Sequence, residues 1–281
     1  LSFSLATPPF LSGVHRLSLA NICLGSSLLV PNDYFQFQQF RIAQSDCAQK
    51  VSTDACLLGA ATDLSGASRV LDIGTGTGLL ALMVAQRAPG AIVEAIEIDP
   101  LAATQAARNV AASPWAGRIA VRPLSLTAYA ASQPAPLAGA DFQFSHIICN
   151  PPFFRRSLAP PDAARATARH ASEASLTFGE IAAFAAAFLA PAGSLTVLLP
   201  PPEMQEFAQE ASAAGLATQA RLAVRHRPGG RVTRVIWQFG RAAPGVMTER
   251  EVCIKTADGL AYSAEFRELL GSFYLEFAAA G

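Results

Sequence analysis

Charge is scarce in this chain. Only 15% of its 281 residues are charged, the signs cancel to a formal net charge of zero, and lysine occurs twice, at Lys50 and Lys255. No whole-molecule field holds polyanions to such a protein, so contact with nucleic acid must come from local patches. The five cysteines, Cys23, Cys47, Cys56, Cys149 and Cys253, include no C-x-x-C pair and leave an odd one over. That argues against a zinc site and a disulfide framework, and fits a reducing cytoplasm. Long apolar runs are missing too. The longest, LSLANICLGSSLLV at 17–30, is too short and too polar to span a bilayer. Arg16 precedes it, but no clear small-residue cleavage site follows, which opposes a secretory signal. The chain starts at Leu1, so residues 1–33 read as an extension, disordered or with a mis-set translation start, and 34–281 as the working domain. With 51% hydrophobic residues and a mean hydropathy of +0.31, that domain has enough apolar material for a sizeable core.

From residue 69 onward, strand-like and helix-like segments alternate. RVLDI (69–73), AIVEAIEI (91–98), RIAVRPL (118–124), FSHIIC (144–149) and SLTVLLP (194–200) read as strands. LLALMVAQRA (79–88), LAATQAARNVAA (101–112) and FGEIAAFAAAFLA (178–190) read as helices. This alternation means βαβ units and a mainly parallel sheet. After residue 215, two strands joined by RPGG read as an antiparallel hairpin, and SAEFRELLGSFYLEF (263–277) as an amphipathic helix packed on the sheet.

The turn after the first strand, DIGTGTG, carries Gly74, Gly76 and Gly78, which let backbone approach a ligand closely. Dinucleotide sites use G-x-G-x-x-G. The spacing here is G-x-G-x-G with Asp72 two residues before the first glycine, which favours S-adenosylmethionine. Glu97, at the end of the second strand, is placed to take ribose hydroxyls; the plainer reading makes Glu97 and Asp99 helix-start acids before Pro100.

In HIICNPPFFRR a strand runs into Asn150-Pro151-Pro152-Phe153, a stiff extended corner. An asparagine carbonyl, a proline carbonyl and an aromatic face together make a receptor for a flat NH2-bearing group. The lone pair of adenine's exocyclic amine is delocalised into the ring. Hydrogen bonds from that amine to Asn150 and Pro151 would position it for attack on a sulfonium methyl, with no metal and no covalent enzyme intermediate. Phe153 would stack on the base.

DIGTGTG, EID and NPPF, in this order, resemble class I S-adenosylmethionine-dependent amino methyltransferases. FQFQQFRIAQSDCAQKVSTDACLLGA, ASPWAGRI and IICNPPFF are similar to bacterial tRNA(Val) N6-adenine methyltransferases, which modify adenosine 37, and the likeness covers residues 35 to 277. The resemblance implies a Rossmann-like α/β fold. Its sheet would be predominantly parallel and seven-stranded, with helices on both faces and the antiparallel hairpin at the C-terminal end. It also implies that Lys50, Val51, Thr53 and Asp54 help close the cofactor site, against a plainer reading in which Thr53 or Asp54 caps the helix ACLLGAA. Two departures from the family pattern stand out. Ser125 occupies the place of an aspartate for the cofactor's adenine amine, and Phe144-Ser145 replaces the usual F-D before NPP.

Between 221 and 241 lie Arg221, Arg225, Arg227, Arg231, Arg234 and Arg241 and no acid, while Arg155 and Arg156 follow the NPPF corner. Arg155, Arg156, Arg225, Arg227 and Arg231 are candidates to hold tRNA phosphates while the target base is swung out; the competing reading is a solvated strand face. His146 and Cys149 read as core or wall residues. Other readings keep different substrates or classes: the guanine amine of ribosomal RNA, a release-factor glutamine amide, a nicotinamide oxidoreductase, or an RNA-binding module without catalysis, the last prompted by Ser125 and Ser145.

Overall fold

The computed structural model describes residues 33–47, 49–134, 143–152, 176–242 and 246–278. The first elements are a short antiparallel pair, β1 (Tyr34–Gln36) and β2 (Arg41–Ala43), and helix α1 (Thr53–Ala61). The alternating segment then gives β3 (Arg69–Ile73), α2 (Leu79–Arg87), β4 (Ile92–Ile96), α3 (Pro100–Ala111), β5 (Ile119–Arg122), α4 (Leu126–Ser132) and β6 (Phe144–Cys149). Next come α5 (Phe178–Phe188), β7 (Leu189–Leu199), α6 (Pro201–Ala213), β8 (Ala217–Arg225), β9 (Val232–Gly240), β10 (Thr248–Cys253) and α7 (Ala264–Leu270).

One sheet takes the order β10-β8-β9-β7-β6-β3-β4-β5. It has eight strands rather than seven. The additional strand, β10, pairs parallel to β8 as an edge strand; its sequence TEREVC exposes its first four residues, so it carries no apolar alternation by which to read it. Only β9 runs antiparallel to its neighbours β7 and β8, as the hairpin reading requires.

The strands are nearly continuous apolar runs because both faces are covered. One face packs Val70, Val93, Ile148 and Leu198 against α1, α2, α7 and the aromatics Phe37 and Phe40. The other packs Leu71, Ile147, Leu195 and Val197 against α4, α5 and α6 through Tyr129, Phe184 and Phe207. The C-terminal amphipathic segment is α-helical only to Leu270 and ends in a 3-10 turn at Leu275–Phe277. After Gly271 it turns, and Gln38 donates to the carbonyls of Gly271 and Tyr274 (both 2.7 Å), tying the C-terminal segment to the first hairpin.

His146 and Cys149 are buried in β6, as read from the sequence. Ser145, at the amino end of the same strand, accepts from the Ser68 and Arg69 amides (3.0 and 3.2 Å) and donates to the Arg69 carbonyl (2.9 Å). It staples β6 to β3 at the edge of the sheet opposite Asn150, so this departure from the family pattern is structural and does not reach the site.

Candidate active site at the carboxyl edge of the sheet

The chain lays β4 and β5 to one side of β3 and then returns to lay β6 on the other. The reversal leaves a crevice beyond the carboxyl ends of β3 and β6, where open α/β sheets bind ligands. Gly74 follows one strand and Asn150 the other, and both line a cavity of about 480 Å³.

The glycine loop is held from within. Gly74, Gly76 and Gly78 have φ of +71°, +55° and +84°, a region that side-chain-bearing residues rarely adopt. The Gly74 and Thr75 amides both donate to the Ile96 carbonyl at the end of β4 (2.9 and 3.0 Å). Gly74 and Gly76 line the cavity, while Gly78 does not: it begins α2, and a Cβ there would lie 3.4 Å from Ala106 of α3. Its role is helix packing.

Asp72 also lies beneath the loop rather than on the cavity wall. It is fully buried, and its Oδ2 accepts from the Thr75 hydroxyl (2.5 Å) and the Ala81 amide (3.1 Å). Its Oδ1 has no hydrogen-bond partner. Burial pushes its carboxyl up to about 7, with the Thr75 and Ala81 hydrogen bonds pulling back down. Glu97 does line the cavity, and it accepts from the Gly76 amide (2.9 Å) and the Asp99 amide (3.0 Å). A carboxylate has about four lone-pair sites, so acceptors remain for a diol. Asp99 caps α3 through the Leu101 amide, so the plainer reading holds for Asp99.

Ser125 lines the cavity and caps α4, its Oγ accepting from the Ala128 amide (3.1 Å). Lys50 and Thr53 are exposed and do not line it; Cys47 and Gln49 do. The cap of α1 is Ser52, not Thr53 or Asp54, and Asp54 instead pairs with Arg234 (2.7 Å). Burial, followed by the negative charges of Glu97 and Asp99, keeps the Cys47 thiol protonated above its ordinary range, although a hydrogen bond at the Gln49 backbone opposes this.

The asparagine–proline corner is the reverse of the glycine loop. Asn150, Pro151 and Pro152 all line the cavity, and among the described residues the buried Asn150 Oδ1 has no hydrogen-bond partner. Such an atom costs about 1–3 kcal/mol unless something supplies a donor. Phe153, Arg155 and Arg156 lie outside the described residues. The remaining wall includes residues that carried no motif: Leu124, Leu126, Thr127, Leu176 and Glu180. Ile98, the middle residue of EID, lines the cavity as well and is 49% exposed.

β8 ends and β9 begins at this same edge, because β9 runs antiparallel to β7 and β8 antiparallel to β9. The arginines there are unequal. Arg221 pairs with Glu249 (3.4 Å), and Arg225 with Glu251 (2.7 Å); both acids come from β10. Arg227 and Arg231 are exposed on the turn. Among the described residues, no group of three or more His, Cys, Asp or Glu could hold a metal ion, and no helix is long and apolar enough to cross a membrane.

A doubly wound sheet with a glycine loop and an unspent asparagine acceptor across its switch point is the arrangement of a methyltransferase, and the methyltransferase small domain model matches residues 47–199. A predicted O-methyltransferase from Agrobacterium tumefaciens shares the fold, with a TM-score of 0.58 and 21% identity, covering 78% of this chain and 96% of that one. Curated relatives are closer in sequence. The tRNA1(Val) (adenine(37)-N6)-methyltransferase of Dyadobacter fermentans is 39% identical over 88% of this chain and 99% of its own. Those of Tolumonas auensis (39%; 87% and 98%) and Yersinia pestis (37%; 86% and 94%) are similar. The chain belongs to the tRNA1(Val) (adenine(37)-N6)-methyltransferase family, and membership implies dependence on S-adenosylmethionine.

Proposed function

We propose that this chain methylates N6 of adenosine 37 in tRNA(Val), with S-adenosylmethionine bound along the glycine loop. The observation that carries the reading is the buried, unpartnered Asn150 Oδ1 on the cavity wall. An amine is the donor it lacks.

Gly74 and Gly76 admit the cofactor's amino-acid end, Glu97 takes the ribose hydroxyls, and Ser125 with Ile98 flanks the adenine. When bound, the cofactor supplies a methyl group on a positively charged sulfur. Asn150 Oδ1 and the Pro151 carbonyl accept the two hydrogens of the target amine, fixing its orientation before reaction. Because the two prolines lack N–H groups and hold a narrow range of φ, the acceptors are set before the substrate arrives. Phe153 is the candidate to stack on the base, and the arginine turn on the same edge the candidate to meet RNA phosphates.

The test is to incubate the chain with S-adenosylmethionine and unmodified tRNA, digest to nucleosides, and identify the product by mass spectrometry. N6-methyladenosine at position 37 is the expected result. Cofactor binding without that product would transfer the reading to a protein glutamine amide or a ribosomal guanine.

A further inference from the structure

A second cavity, of about 330 Å³, opens at the carboxyl edge of the sheet and is lined by Pro200, Pro201, Pro202 and by Arg231, Val232, Thr233 and Arg234. We propose that this notch receives the RNA strand beside the methylated base, with Arg231 bound to a phosphate. The inference rests on the tRNA reading above and names where its strand would run.

The notch lies close to the active-site corner. Pro200 directly follows β7, Val232 begins β9, and β7 lies next to β6, whose end leads into Asn150. Two strand spacings, about 10 Å, therefore separate the β9 side of the notch from the Asn150 corner. That is the reach of a nucleotide neighbouring the one in the active site.

Six arginines lie between 221 and 241, yet most are already committed. Arg221, Arg225 and Arg234 pair with Glu249, Glu251 and Asp54. Arg241 donates to the Leu189 and Ala187 carbonyls (3.0 and 3.3 Å), and Arg227 lies so close to Gly259 that a Cβ there would collide with its guanidinium. Asp258 is near enough to Arg227 for its carboxyl to feel that charge. Arg231 is exposed and makes no hydrogen bond or ion pair among the described residues, and no acid lines its notch. In a chain of zero net charge, this uncompensated guanidinium is the local field a phosphate would find.

The opposite wall of the notch is apolar. Three consecutive prolines present rigid apolar surface with no N–H to satisfy, a face suited to a sugar or an unstacked base. Phosphate held by arginine and sugar or base held by an apolar wall is the pairing that a single RNA strand offers.

The test compares full-length wild type with Arg231→Ala, Arg231→Lys and Arg225→Ala, using a tRNA(Val) transcript and measuring affinity across salt concentration together with KM for tRNA and for cofactor. Arg231→Ala is expected to weaken tRNA binding at least fivefold and to lower the salt slope by about 0.7–0.9, the loss of one phosphate contact. Arg231→Lys should restore most of that slope, and cofactor KM should stay within twofold. Thermal melts should match wild type, because the side chain has no partner among the described residues to lose. Unchanged tRNA affinity and slope in Arg231→Ala, or a larger loss in Arg225→Ala, would overturn the proposal while leaving the methylation reading intact. A wild type that binds cofactor but neither binds nor methylates tRNA would overturn both, and a protein substrate would be the reading that replaces them.

Discussion

The two loops that face each other across the switch point are built on opposite principles. Around the glycine loop the backbone amides are spent internally: the Gly74 and Thr75 amides go to Ile96, Gly76 to Glu97 and Gly78 to the Thr75 carbonyl, while Asp72 takes the Thr75 hydroxyl and keeps its unpartnered Oδ1 sealed beneath the loop, off the cavity wall. The asparagine–proline corner keeps an acceptor unspent, and two of its three residues have no N–H to offer. A loop satisfied within itself can supply shape for a ligand. A corner with an orphaned acceptor supplies a specific interaction, which is what chemistry on an amine needs.

If that division is right, the largest effect belongs to the corner. Asn150→Ala should lower single-turnover methylation by about a thousandfold, while calorimetry gives cofactor affinity within a few-fold of wild type. Equal losses in binding and turnover would make the corner part of the cofactor site instead.

Asp72, beneath the glycine loop, tests how much the internal satisfaction costs. Its folded carboxyl sits at about 7, above its ordinary value of 3.8, so the native state keeps a proton that the unfolded chain has released. Stability should therefore fall as pH rises from about 4 to about 7, by up to about 1.4 kcal/mol per unit, and level off above. Urea denaturation at a series of pH values should show this slope in wild type and a flatter one in Asp72→Asn.

Gly78→Ala separates shape from ligand contact, because Gly78 packs against α3 and does not touch the cavity. A side chain at φ +84° should cost about 1–2 kcal/mol in chemical denaturation. Glu97→Gln is the smallest step. It keeps an acceptor for the Gly76 amide but loses the charge, and should weaken cofactor binding by about tenfold with kcat nearly unchanged.

Much of this was legible along the chain. The βαβ alternation, DIGTGTG, Glu97 and NPP each sit in a continuous segment whose periodicity or turn chemistry is local. What was not legible depends on pairing between distant segments. β10 carries few apolar residues, because an edge strand needs only half a covering; yet its Glu249 and Glu251 neutralise Arg221 and Arg225 across a parallel ladder. A run of arginines without an acid in sequence is thus partly compensated in space. Ser145 likewise looks like a departure near the motif, but lies at the far end of its strand.

The sequence by itself determined the class of sheet, the glycine turn and the rigid asparagine corner, since proline, glycine and strand periodicity act on the residues beside them. Tertiary structure alone decided that Asp72 and Gly78 support the loop rather than line the cavity, and that among the described residues Asn150 Oδ1 and Arg231 are left without a partner. Whether a polar group is satisfied depends on which distant strand or helix is laid against it, and only the folded chain sets that.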